Sequence, residues 1–139
     1  CTQACLPAMK KQKWGRVINI ASTAGLIGYA YVTAYSAAKH GVIGLTRSLA
    51  LETANIGITV NAICPGYTET ELTERAIDNI SLIRGQSKTE AREELLKNNP
   101  QKIFIQPHEI ANTVLWLCQQ ESGSVTGQAI SISGGEVMS

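Results

Sequence analysis

Three short runs rich in β-branched residues alternate with segments of helical character. That alternation limits the possible folds more than any other feature of the chain. The runs are Arg16-Val17-Ile18-Asn19-Ile20-Ala21, Ile58-Thr59-Val60-Asn61-Ala62-Ile63 and Ala129-Ile130-Ser131-Ile132. Each is largely apolar on both alternating faces, the mark of a strand buried on both sides in a parallel sheet. Between them lie helical patterns at Cys1 to Gln12, about Val32 to Ala54, and Pro107 to about Gln119. Strands alternating with helices predict an α/β architecture, a doubly wound parallel sheet with helices on both faces. The 139 residues suffice for one such unit, spanning 1–139.

One connection is too long for this scheme. About 69–99 is polar and reads as two helices, Glu71 to Asn79 and Lys88 to Asn98. Ordinary connections in α/β units run about 2–6 residues. A helical insertion at the carboxyl end of a strand predicts a lid over a site. Its composition predicts few core contacts and low local stability.

Charge and cysteine content exclude several roles. Twelve Lys and Arg against eleven Asp and Glu give +1, and charged residues are 17% of the chain. Neither a disordered charged tail nor a nucleic-acid footprint fits that balance. No apolar run reaches the roughly 18 residues of a membrane-spanning helix. Cys1, Cys5, Cys64 and Cys118 match no zinc or redox spacing. Cys64 and Cys118 lie in apolar stretches, so the expectation is reduced, buried thiols, no metal, and a cytoplasmic protein. The chain opens on Cys1, already inside a helical pattern, which suggests the C-terminal portion of a longer protein.

Tyr35 and Lys39 stand four apart on the long predicted helix, so their side chains share a face. A phenol is a poor base at neutral pH, and a neighbouring ammonium favours its ionised form. Such a tyrosine can exchange a proton with an alcohol or carbonyl. Alone, the pair is a common feature of solvated helices. Ser22 gives it weight: it ends the first strand, thirteen residues earlier, at the sheet edge where open α/β sheets hold ligands. A hydroxyl there can donate to a developing alkoxide.

Together, Arg16 to Ser22, Tyr35-Ser36-Ala37-Ala38-Lys39, Thr59 to Gly66, Thr126-Gly127-Gln128 and Gly134-Gly135 resemble the short-chain dehydrogenase/reductase family. The resemblance spans the chain and implies the second half of a Rossmann-type fold that uses a nicotinamide cofactor. It implies Tyr35 as general acid/base, Lys39 as its activator and ribose contact, and Ser22 as the group orienting the reacting oxygen. Pro65 and Gly66 would back the nicotinamide, with Thr68 and Thr70 beside it. Thr68 departs from the usual Ile or Val. Asn61 reads as a structural brace. The family's glycine-rich phosphate turn is not among these residues, and Gly25 and Gly28 do not replace it.

Within the family the chain is most similar to bacterial 3-hydroxybutyrate dehydrogenases, on Leu6 to Lys11, Ala38 to Gly41, Ala50 to Ala54 and the insertion Glu90 to Leu96. That likeness implies NAD or NADP, with NAD favoured, and a 3-hydroxy acid such as 3-hydroxybutyrate. The substrate would meet Ser22, Ala24 and Tyr67. Ala24, Val32 and Ala76 replace polar groups common in those enzymes, so a carboxylate loses its clamp unless Arg75, Arg84 or Arg92 supplies the charge. A 3-oxoacyl thioester reductase is the alternative enzyme. The Ala- and Gly-rich helix faces (Ala37, Gly41, Gly44, Ser48) suit a homo-tetramer or dimer, and a non-catalytic oligomerising fragment is the alternative of another class. If these residues were the whole protein, no activity would be expected.

Overall fold

The computed structural model describes residues 1–138. The elements run α1 (Thr2–Gln12), β1 (Gly15–Ile20), α2 (Thr33–Thr53), β2 (Ile58–Pro65), α3 (Glu71–Arg84), α4 (Lys88–Leu95), α5 (Pro107–Cys118) and β3 (Ala129–Ile132). The strands form one parallel sheet in the order β1-β2-β3. Strand β2 is central and almost wholly buried. Ile58, Val60, Ala62 and Cys64 alternate along it and meet α2 through Ala50 and Ile43. Leu6 and Met9 of α1 join the same layer.

Asn61 braces the sheet as its position suggests. Its amide donates to the Val125 carbonyl at 2.8 Å, and its side-chain oxygen accepts from the Gln128 backbone N–H at 3.1 Å. This fixes the entry to β3 beside β2 and satisfies a side chain only 1% exposed.

The predicted boundaries shift in places. Strand β1 is not buried on both faces: Val17 and Ile18 are half-buried and Ile20 is 51% exposed, β1 being an edge strand that pairs with β2 alone among the described residues. Helix α3 runs on to Arg84, beyond the expected end at Asn79, and Gly85 closes it in the left-handed conformation. Helix α4 stops at Leu95, short of Asn98. Cys118 is exposed, as are Cys1 and Cys5, and only Cys64 is buried. On α5 the buried position is Leu117, so its neighbour Cys118 turns outward.

The 69–99 segment also has more of a core than its composition predicts. Ile77 and Ala91 are fully buried against Phe104, with Ile80, Leu95 and Leu96 around them. Withdrawing Ile77 and Phe104 from water contributes about 4 kcal/mol together. Arg92 fastens the same unit. It makes two hydrogen bonds to Glu69 at 2.8 and 2.9 Å, pairs with Glu74, and lies 4.7 Å from the centre of the Phe104 ring. Ser87 and Glu90 form a reciprocal cap at the start of α4.

Two joints seat this unit on the sheet. Thr68 bridges to Ile105, whose N–H donates to the Tyr67 carbonyl at 2.9 Å. Beyond β3, Gly134 takes φ +61°, and a Cβ there would lie 2.5 Å from the Asn99 side-chain oxygen. Only glycine combines that backbone conformation with that approach.

Candidate active site

The carboxyl ends of β1 and β2 carry most of the residues singled out from sequence. Ser22 follows β1 in extended conformation and caps a single 3₁₀ turn, Thr23–Gly25, its hydroxyl accepting from the Ala24 N–H at 3.2 Å. That turn is clamped to α2. The Ser36 hydroxyl donates to the Ala24 carbonyl at 2.8 Å. A Cβ on Gly25 would stand 2.7 Å from the Lys39 carbonyl, so the glycine lets the helix lie directly against the turn. Next to Ser36 on α2, Tyr35 is half-exposed.

Lys39 reaches back across this junction. Its ammonium donates to the Ile20 carbonyl at 3.0 Å and lies 5.5 Å from the centre of the Tyr35 ring. The helix spacing and the two clamps therefore bring Ser22, Tyr35 and Lys39 to one edge of the sheet.

Pro65 ends β2, and the Gly66 N–H donates to the Ile132 carbonyl at 2.9 Å, continuing the pairing with β3. Thr68 turns its hydroxyl onto the Gly66 carbonyl at 3.1 Å. Thr70 caps α3, its hydroxyl 3.4 Å from the Thr73 N–H it accepts from. Both threonines thus shape the β2–α3 turn. Tyr67 stands between Gly66 and Thr68 in the same turn. Burial, then the nearby Glu136 and Tyr35, push its phenol pKa up from the ordinary value. Ala24 is 4% exposed and enters the site mainly as backbone.

The structure adds two residues that sequence reading did not single out. Tyr29 donates to the Glu136 carboxylate at 2.8 Å and stands 3.0 Å from the Thr23 hydroxyl. Burial chiefly, with the carboxylate adding to it and the Thr23 hydrogen bond opposing it, pushes Tyr29 up to about 12. Tyr29 and Glu136 are 107 positions apart, and no local pattern relates them.

The three arginines that could have met a substrate carboxylate are engaged elsewhere. Arg75 pairs with Glu71, Arg84 with Glu94, and Arg92 with Glu69 and Glu74.

A family model described as enoyl-(acyl carrier protein) reductase matches residues 1–136. The D-beta-hydroxybutyrate dehydrogenase of Rhizobium meliloti (strain 1021) is 43% identical over 134 residues, 96% of this chain and 52% of that protein. The chain belongs to the short-chain dehydrogenase/reductase family. Another family member, the 3-oxoacyl-(acyl-carrier-protein) reductase FabG of Thermotoga maritima, is 40% identical over 99% of this chain and 51% of its own length. Among solved structures, an actinorhodin polyketide ketoreductase with NADPH superposes with a TM-score of 0.86 at 41% identity. It covers 92% of this chain and 49% of that one. The chain thus spans about half the length of the curated relatives it matches. The parallel sheet with flanking helices is this family's Rossmann fold in part. No described helix is long and apolar enough to cross a membrane.

Proposed function

We propose that the full protein is an NAD(P)-dependent oxidoreductase interconverting an alcohol and a carbonyl, with NAD the favoured cofactor and a 3-hydroxyacyl compound such as 3-hydroxybutyrate the substrate. One observation carries this reading: Lys39 and Tyr35 stand together beside the Ser22 turn, at the sheet edge where α/β folds bind ligands.

The donor set suits a nicotinamide nucleotide. Lys39 spends one of its three N–H donors on Ile20 and keeps two for ribose hydroxyls. Thr68, Thr70, Pro65 and Gly66 line the turn that would face the nicotinamide. When bound, that group takes up or supplies a hydride. The chain's own residues handle the oxygen. Ser22 donates to it as negative charge develops. In alcohol oxidation Tyr35, ionised, accepts the hydroxyl proton, and in carbonyl reduction it returns one. The Lys39 ammonium stands beside the Tyr35 ring. The unit over about 69–99 acts as a lid that excludes water while Tyr35 exchanges its proton.

A 3-oxoacyl thioester reductase is the second reading. It is favoured by the pairing of Arg75, Arg84 and Arg92 with lid carboxylates, which leaves a free substrate carboxylate without an evident partner. In either case the exposed faces of α1 and α2 suit assembly into a dimer or tetramer.

The test is Tyr35→Phe in the full-length protein, with turnover followed by nicotinamide absorbance. The substitution removes one oxygen from a half-exposed ring, so folding and cofactor affinity should hold. Turnover should fall about 10²–10⁴-fold. Activity within a few-fold of wild type removes Tyr35 from the reaction.

A further inference from the structure

Glu136 brings a carboxylate to the edge of the site that also holds Tyr67 and Gly66. Gly134 and Gly135 both take positive φ and turn the chain back after β3. The turn is held by the Glu136 N–H donating to the Ser133 carbonyl at 3.2 Å and by the Val137 N–H on the Ser133 hydroxyl at 3.2 Å. One carboxylate oxygen accepts from Tyr29 at 2.8 Å. The other would lie 3.3 Å from a Cβ on Gly66. The same charge bears on Tyr67, which in turn feels Tyr35.

No cation answers this charge. Among the described residues none forms an ion pair with Glu136. Lys39 is turned onto Ile20 and Tyr35, and the lid arginines are held by Glu69, Glu71, Glu74 and Glu94. Glu136 is part-buried, and a second negative group brought beside it would be repelled. A neutral acyl group meets no such repulsion and can donate to Glu136 if it carries an N–H or O–H.

We propose that Glu136 is a specificity-determining residue that excludes free carboxylates and selects 3-hydroxyacyl compounds whose carboxyl is masked as an ester, thioester or amide. This rests on the proposed alcohol/carbonyl activity and, between the two substrate readings given above, favours the thioester over free 3-hydroxybutyrate.

The experiment compares kcat/KM for 3-hydroxybutyrate and its methyl ester on the full-length protein, in wild type, Glu136→Gln and Tyr29→Phe. Gln keeps the shape and the acceptor for Tyr29 but removes the charge. Tyr29→Phe keeps the charge but removes the clasp. Wild type should prefer the ester about tenfold or more. Glu136→Gln should raise the acid about tenfold and leave the ester within twofold, and Tyr29→Phe should keep the preference for ester. A wild-type preference for the acid overturns the proposal. So does an equal loss on both substrates in Glu136→Gln, which would make the residue a structural clasp alone. If neither compound is turned over, the substrate reading fails separately. Binding of isobutyrate and isobutyramide, read by the fluorescence of bound reduced nicotinamide, then decides the role of Glu136. Tighter isobutyrate binding in Glu136→Gln with isobutyramide unchanged supports it, and an unchanged ratio overturns it.

Discussion

The Lys39 ammonium donates to the Ile20 carbonyl at 3.0 Å, fastening α2 to the last residue of β1. The bond holds the charge beside the Tyr35 ring and lowers the entropy lost when a ribose takes the remaining donors. Lys39→Ala should therefore weaken cofactor binding at least tenfold. Turnover at saturating cofactor should fall as well, because the phenol loses the cation standing beside its ring. Unchanged kcat together with unchanged cofactor affinity would sink both roles.

Legibility differed by kind of interaction. The sheet was readable because β2 is apolar at nearly every position, and the Tyr35–Lys39 pair because four residues on a helix fix a shared face. Contacts between loops were not readable. Glu136 meets Tyr29 only after β3 has paired with β2 and the two glycines have turned the chain. The core of the lid was hidden for a related reason. Ile77 and Ala91 lie among charged residues, and their third partner, Phe104, comes from beyond the insertion. Gly25 shows a subtler gap. Sequence marks it as a loop residue, yet its place is fixed by the missing side chain, which lets α2 touch the Ser22 turn.

Arg92 ties α4 to the β2–α3 turn through Glu69 and Glu74 while covering Phe104. Arg92→Ala should cost about 1–2 kcal/mol, since the ions are part-exposed but act as a network on an aromatic face. The loss should be local. Hydrogen exchange should quicken in α3 and α4 and stay slow in β2. Equal acceleration in both regions would mean that the lid and sheet unfold as one unit.

Tyr29 titrates at about 12 in the folded chain against about 10 unfolded. Its raised value means the folded state holds the proton more tightly. The associated stability is fully present below pH 10 and is lost as pH rises toward 12. The loss should be on the order of 1 kcal/mol, given partial solvent access. Tyr29→Phe should flatten that part of the stability–pH curve while wild type keeps its slope. Identical slopes in denaturant titrations across this range would show that Tyr29 ionises as it does in water.

Gly25 sets the distance between the Ser22 turn and the helix that carries Tyr35. A methyl group there would meet the Lys39 carbonyl oxygen at 2.7 Å and the Ile43 Cδ1 at 2.9 Å. One of these neighbours can retreat and the other cannot. Ile43 can be shortened, whereas the Lys39 carbonyl belongs to the middle of α2. Gly25→Ala should therefore push the helix off the turn, stretch the Ser36–Ala24 hydrogen bond, and part Ser22 from Tyr35. Misplacement of reacting groups by about 1 Å can cost 10²-fold, so kcat should fall between tenfold and a hundredfold in the full-length protein. Adding Ile43→Val removes the softer clash alone. It should recover part of the thermal stability but little of the rate. Full recovery of kcat in the double variant would place the critical contact at the Ile43 side chain instead of the α2 backbone.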